Sequence, residues 1–227
     1  MIKYFLFVLF ASVTLSNLQA QEYSFGLKAG INRAMGGELT GIPNGGFNGD
    51  TFQAESNIGF HGGAFFEIRF GKFLVRPEAI YNTIETEFDF PTRPSVYAVD
   101  KLSIPLLIGY NIFGPVDVYA GPAYTNIINA TLQGNELNNS EVVAQNSPLS
   151  AHLGVKAGFG RFEIDFRYDR TLSSEQNQDV DIVNSQFGVN RANFTDSRLN
   201  QILLSLSFKL FDSEANPGRR SGRGCYF

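Results

Sequence analysis

At 227 residues with a formal net charge of −4, the chain is long enough for one domain and carries no basic block of the kind that holds nucleic acid. Its single cysteine, Cys225, excludes an intramolecular disulfide, so stability must come from closure and burial. Phenylalanine (22) and glycine (23) are abundant, tryptophan is absent and charge is sparse, a mixture that suits a sheet facing lipid.

Residues 1–20 run from Lys3 through an apolar stretch, 4–13, to the small Ala20, and read as a cleaved signal peptide with the mature chain starting at Gln21. The stretch is shorter than the roughly 20 apolar residues a spanning helix needs, and no later segment reaches that length. No cysteine follows it directly, so no lipid anchor is expected. Next, Phe25, Leu27, Ala29 and Ile31 alternate with Gly26, Lys28, Gly30 and Asn32. Successive strand residues point to opposite faces, so this segment has one apolar face and one polar, glycine-rich face. The alternation returns in 58–70, with Phe65 as an exception on the polar face, and in 73–83, 101–110, 116–125, 149–159, 162–171 and 199–211.

That makes eight predicted strands. Their connections alternate: 33–57, 84–100, 126–148 and 172–198 are long, whereas 71–72, 111–115 and 160–161 are short. Short turns on one side and long loops on the other mark an outer-membrane barrel with its short side periplasmic. The long connections are rich in Gly, Asn, Ser and Asp and are expected to be surface loops without further strands.

A soluble carrier barrel has the same alternation turned inside out, and three features decide between them. The polar face carries Gly26, Gly30, Gly59, Gly63, Gly109, Gly121, Gly154 and Gly158, as an eight-stranded interior barely wide enough for its side chains requires. The apolar face places Tyr23, Phe70, Tyr110, Phe159 and Phe162 near the turn end and Phe60, Tyr81, Tyr124 and Tyr168 nearer the loops, forming two aromatic girdles. The last strand, QILLSLSFKLF, ends in an aromatic residue.

Parity turns Lys28, Arg69, Arg76, Lys101, Lys156, Arg167 and Lys209 into the lumen against Glu67, Glu78, Asp117, Glu163, Asp165 and Asp169. Buried charges are tolerated when paired, so an ion-pair network plugging the barrel is expected. His61 and His152 share the polar face near the loop end, with Ser150 beside His152. A lipid hydrolase needs its nucleophile at the lipid interface with a histidine and an acid in contact, whereas parity turns these residues inward. In the last loop, Glu175, Asp179 and Asp181 are oxygen donors without EF-hand spacing. Residues 36–49 are glycine-rich but lack the Lys followed by Ser or Thr that a phosphate-binding loop carries. Asn129, Asn138 and Asn193 stand in glycosylation-like triplets of little meaning in a bacterial envelope protein.

The segments KLSIPLLIGYNIF (101–113), VYAGPAYTN (118–126) and LGVKAGFGRFEIDFRYDR (153–170), with FGLKAGIN and FLVRPEAIY, resemble the PorT-like small outer-membrane β-barrel family of Bacteroidetes. The resemblance covers nearly the whole mature chain and is one of strand texture, not of a catalytic motif. It implies fold and compartment first, and it implies a link to protein secretion through the family's best-known member. The tail, 212–227, departs from the pattern by carrying Arg219, Arg220 and Arg223 beyond the last strand.

The expectation is an all-β protein: an eight-stranded antiparallel up-and-down transmembrane β-barrel with long extracellular loops and short periplasmic turns. Residues 1–20 form the signal peptide, 21–211 the barrel and 212–227 a periplasmic tail, with both termini periplasmic. It is expected to be non-enzymatic, without cofactor or metal, with a structural, loop-binding or secretion-accessory role. A membrane-embedded lipid hydrolase and a narrow small-solute channel are the alternatives. Expected partners are outer-membrane lipid and other envelope or secretion proteins, not nucleic acid, and the barrel is expected to be a monomer.

Overall fold

A computed structural model describes residues 21–42, 50–134, 148–172, 178–182, 191–196 and 200–213. The predicted signal peptide, the tail from 214 onward with its arginines and Cys225, and Glu175 and Asn138 lie outside the described residues. The strands in chain order are β1 Gln21–Met35, β2 Glu38–Gly41, β3 Thr51–Ser56, β4 Ile58–Phe70, β5 Phe73–Phe88, β6 Ser95–Phe113, β7 Val116–Leu132, β8 Leu149–Phe159, β9 Phe162–Thr171, β10 Gln178–Asp181, β11 Arg191–Asp196 and β12 Asn200–Asp212.

Eight of these, β1, β4, β5, β6, β7, β8, β9 and β12, pair antiparallel in that order, and β12 pairs back onto β1. The sheet is closed. Followed through the ladder, Gln21 pairs with Phe70, and the row continues through Phe73, Tyr110, Val118, Val155, Phe166 and Leu204. It returns to β1 at Ile31, ten residues beyond its start. This stagger goes with strands tilted by roughly 35–45° and an interior that side chains fill.

The tight connections fall at Gly71, Gly114 and Gly160, whose φ values of 59°, 51° and 61° lie in the left-handed region that other residues occupy at a cost. Each reverses the chain within two residues, setting Phe70 opposite Phe73 and Phe159 opposite Phe162. On the outer surface Phe60 is 64% exposed, whereas Arg76, facing inward, is 1% exposed. The wall is therefore apolar outside and polar inside, the arrangement lipid selects. The predicted girdle residues Tyr23, Phe70, Tyr110, Phe159 and Phe162 are exposed at the turn end, as are Phe60, Tyr81 and Tyr124 toward the loops, with Tyr168 half-buried.

At the loop end the structure corrects the sequence reading. β5 continues past residue 83 to Phe88, β6 begins at Ser95 instead of 101, and β7 continues past 125 to Leu132. The connections expected to be plain loops contain β2, β3, β10 and β11, which join β5 in the order β10-β11-β2-β3-β5. The smaller turn 114–115 likewise replaces the expected 111–115, because β6 runs on to Phe113.

Beyond the membrane zone the polarity of the wall inverts. On β5 the inward positions change from Arg76, Glu78 and Asn82 to Ile84 and Phe88, while the outward ones become Glu85 and Glu87. On β7 a register shift opposite Asp100/Lys101 leaves one extra residue, so Ala130 and Leu132 face inward although Thr125, of opposite parity, does too. With Leu39, Val180, Ile182, Ala192 and Phe194 from the loop strands, these side chains form a dry apolar cap. Phe194 meets Phe88 edge-on at 5.8 Å between ring centroids and Tyr97 at 5.1 Å. Phe52 meets Phe90 edge-on at 5.1 Å.

Because β2, β3, β10 and β11, which complete this cap over the ends of β5, β6 and β7, lie outside the closed ring, they are expected to open as their own cooperative unit. Phe194→Ala should destabilise by about 3–5 kcal/mol, the usual loss for a buried aromatic. Hydrogen exchange should then show β2, β10 and β11 amides losing protection while those of β8 and β9 keep it; uniform loss around the barrel contradicts a separable cap.

Candidate functional site

The inward face of the barrel concentrates nearly all of its buried charge. Alternation makes β9 a column of Glu163, Asp165, Arg167 and Asp169, each flanked in register by a β8 residue: Gly158, Lys156, Gly154 and His152. β5 contributes Arg76 and Glu78 at the same spacing, and β4 contributes Glu67 and Arg69. Period-two spacing alone brings these groups into one narrow interior.

Three tiers follow from the turn end inward. In the first, Asp117 accepts from Arg69 at 2.7 Å and from the Asn111 amide at 2.8 Å. Glu67 accepts from Arg69 and Arg76, both at 3.0 Å, and from Lys156. Glu163 takes Arg76 at 2.5 Å and Lys156 at 3.1 Å, with Lys209 at 3.7 Å. Asp212, outside the predicted set, accepts from Lys209 at 3.1 Å.

The middle tier centres on Glu78. It accepts from Arg76 Nε at 2.8 Å, from both terminal nitrogens of Arg167 at 2.7 and 3.1 Å, and from Lys28 at 3.4 Å. Asp165 accepts from Arg167 at 3.0 Å, from Lys28 and from the Tyr119 hydroxyl. Tyr119 in turn accepts from Arg167 Nε at 3.0 Å. Gly154 makes this possible, since a Cβ there meets the Tyr119 hydroxyl and lies 2.7 Å from the Phe166 carbonyl oxygen. Phe65, the exception in the alternation, is buried beneath the Arg76 guanidinium, 3.8 Å from ring centroid to Cζ. A Cβ on Gly26 approaches that ring to 2.9 Å.

In the third tier Asp169 accepts from Lys101 and from Gln201, both at 2.9 Å, and lies 3.3 Å from His152 Nε2. Every predicted lumen residue thus has a charged partner within the network. Tyr119, Gln201, Asn111 and Asp212 escaped the sequence reading, which considered only charges. Tyr119 was findable, because it shares parity with Asp117 and Gly121.

The residues weighed for hydrolysis do not converge. Ser150 Oγ lies 3.5 Å from Thr125 Oγ1, while His152 turns to Asp169 and to Arg167 at 3.4 Å. His61, on the opposite wall, meets Ser205 Oγ at 2.8 Å. Ser150, His152 and His61 are all buried in the lumen, away from the lipid face. Of the loop acids, Asp179 pairs with Arg191 at 3.2 Å, and among the described residues no His, Cys, Asp or Glu trio is arranged to hold a metal ion.

At the turn end the lumen opens as a cavity of about 660 Å³ lined by Arg69, Asp117, Arg161, Glu163, Lys209 and Asp212. Above it lie the paired tiers, then the cap. Such groups stabilise a barrel only together. Removing one partner of a buried pair costs about 3–5 kcal/mol, because the other is left charged and unsolvated.

A closed eight-stranded antiparallel ring with a lipid-type exterior and a charge-filled interior is the architecture of an outer-membrane protein. The family described as outer membrane protein beta-barrel domain matches residues 19–177, and the chain belongs to it. Among solved structures the chain is similar to Neisserial surface protein A at 14% identity, covering 83% of this chain and 99% of that one, with a TM-score of 0.44. It is also similar to OmpT, an outer membrane protein of Vibrio cholerae, at 16% identity, covering 82% of this chain and 51% of that one, with a TM-score of 0.28. No curated protein matches.

The depth of a charge in the network sets its worth. Arg76→Met takes one buried cation from three carboxylates, Glu67, Glu78 and Glu163, and should cost about 3–5 kcal/mol. Lys209→Met, at the open mouth, should cost about 1 kcal/mol or less. Urea unfolding of the barrel folded into lipid vesicles measures both, and equal losses contradict the tiered arrangement.

Proposed function

We propose that this outer-membrane barrel is non-enzymatic, that its lumen is a sealed structural plug, and that its activity lies in the loop-end platform as an interaction surface for other envelope proteins. The carrying observation is the continuity of the filling: paired charges from the turn-end mouth to Asp169, then an apolar cap to the tips of β5, β6 and β7. A solute path has to pass Arg76, Glu78 and Arg167, whose side chains are at most 1% exposed. A lipid hydrolase needs serine and histidine at the lipid face, and the histidines of this chain point the other way.

What remains accessible is the platform carried on a rigid scaffold, where binding surfaces are usually found. The contrast of tight turns with long connections supports an orientation with turns and both termini in the periplasm. The PorT-like texture of 101–113 and 153–170 supports a PorT-like, secretion-accessory role within this reading, and a single barrel without a mate is its expected form.

Two measurements test it. The purified barrel in a planar bilayer should give no conductance steps, and steady channel activity overturns the sealed lumen. Comparison of secreted and periplasmic proteins from a clean deletion strain and its parent should show exported cargo retained in the periplasm; unchanged fractions remove the secretion role.

A further inference from the structure

The lipid-facing wall is free of charge between its turn-end aromatics and its loop-side rim, and at that rim the two signs occupy separate arcs. On β1 the outward positions read Tyr23, Phe25, Leu27, Ala29, Ile31 and then Arg33; on β9 they read Phe162, Ile164, Phe166, Tyr168 and then Arg170. On β5 and β6 the rim holds Glu85, Glu87 and Asp100 instead.

Register fixes the heights. Arg33 pairs with Ile202, which pairs with Tyr168, so Arg170 lies two strands from Arg33 and two residues loopward of its row. The ladder climbs ten residues per circuit, from Gln21 round to Ile31, and rises in the direction from β1 to β4. The row therefore falls toward β9 by about the amount Arg170 regains, and the two arginines lie at one level, a step beyond Tyr168 and Phe60. The Glu85 carbonyl accepts from the Asn57 N–H, next to the Ile58 that pairs with Arg33, so Glu85 lies within about one residue of that row and the same climb lifts it farther from the apolar belt. The two arginines thus sit at the membrane boundary with Glu85 above them, while Asp100, on the other arc, hydrogen-bonds the girdle residue Tyr81.

Both arginines are exposed, and among the described residues neither has a carboxylate partner. This contrasts with the lumen, where every predicted cation is paired. Arg33 also heads a groove of about 450 Å³ whose floor is Ile31, Ile58, Ile202 and Leu204 and whose loop-side lip is Ser56 and Asn57. An apolar trough running toward the membrane centre, with unpaired cations at the interface, has the polarity of one membrane lipid.

We propose that this groove binds a phosphate-bearing anionic lipid of the loop-side leaflet, its phosphate held between Arg33 and Arg170 and an acyl chain lying along Ile31, Ile58, Ile202 and Leu204. The site rests on the membrane barrel and not on the interaction role of the platform, so either can fail alone. Arginine suits it because the planar guanidinium meets phosphate oxygens in pairs and is held by a stem that packs on apolar surface.

Native mass spectrometry of the full chain, released from detergent containing phosphatidylglycerol or phosphatidylcholine with identical acyl chains, tests the proposal. The wild-type barrel should retain phosphatidylglycerol preferentially, by about fivefold per arginine at low salt. Arg33→Gln with Arg170→Gln should bring it to the phosphatidylcholine level, and Arg33→Lys with Arg170→Lys should keep most of the preference; heat-modifiable gel migration verifies that each variant folds. Equal retention of the two lipids by the wild type, preference surviving in the glutamine pair, or a lipid-free protein dimer lost on those substitutions overturns it.

Discussion

In hydrocarbon no water is available to a backbone N–H or C=O, so a sheet can cross only if its last strand bonds to its first. The pairing of β1 with β12 from Met35↔Asn200 down to Ser24↔Asp212 meets that demand, and the rest of the molecule follows from it. Closing eight strands fixes an interior too narrow for a water column and too wide to leave empty. Side chains have to fill it. Since the outer face must be apolar, alternation delivers the polar residues inward, and they are stable there only when each charge meets its opposite.

That requirement explains both the tiers and their glycines. A charged column on β9 needs bulky partners from across the barrel, and Gly154 and Gly26 leave the volume that Tyr119 and Phe65 take up beside Arg167 and Arg76. The network is therefore a packing solution as much as an electrostatic one. Once the strands leave the lipid, the outward face is free to meet water and the inward face to become apolar. Ile84 and Phe88 against Glu85 and Glu87 mark that crossing on a single strand. The platform is in effect a small soluble domain grown from the rim of a membrane one.

The same crossing accounts for what the sequence disclosed and what it hid. β4, β8 and β9 were legible to the residue, because an apolar-out alternation runs through each of them to a tight turn. The lumen set was legible because parity alone places it. The upper parts of β5, β6 and β7 were not, since the polarity on which the reading relied reverses at Thr83 and Lys101 and the phase itself slips at the irregularity beside Lys101. β2 and β10 are four residues each, too short for alternation to stand out from loop composition. Their strand state comes from tertiary pairing, β2 between β3 and β11 and β10 along β11, and from the burial of Leu39 and Val180.

The central claim is that charges on opposite walls hold the lumen closed by acting on one another, not merely by filling space. Glu78 on β5 and Arg167 on β9, joined by two hydrogen bonds at 2.7 and 3.1 Å, are the pair to interrogate. A double-mutant cycle of Glu78→Gln and Arg167→Met, read by urea unfolding of the barrel in vesicles, measures their coupling directly. The account predicts an interaction of about 1–3 kcal/mol, with the double variant less destabilised than the two single losses combined. Losses that simply add, leaving no coupling, contradict it.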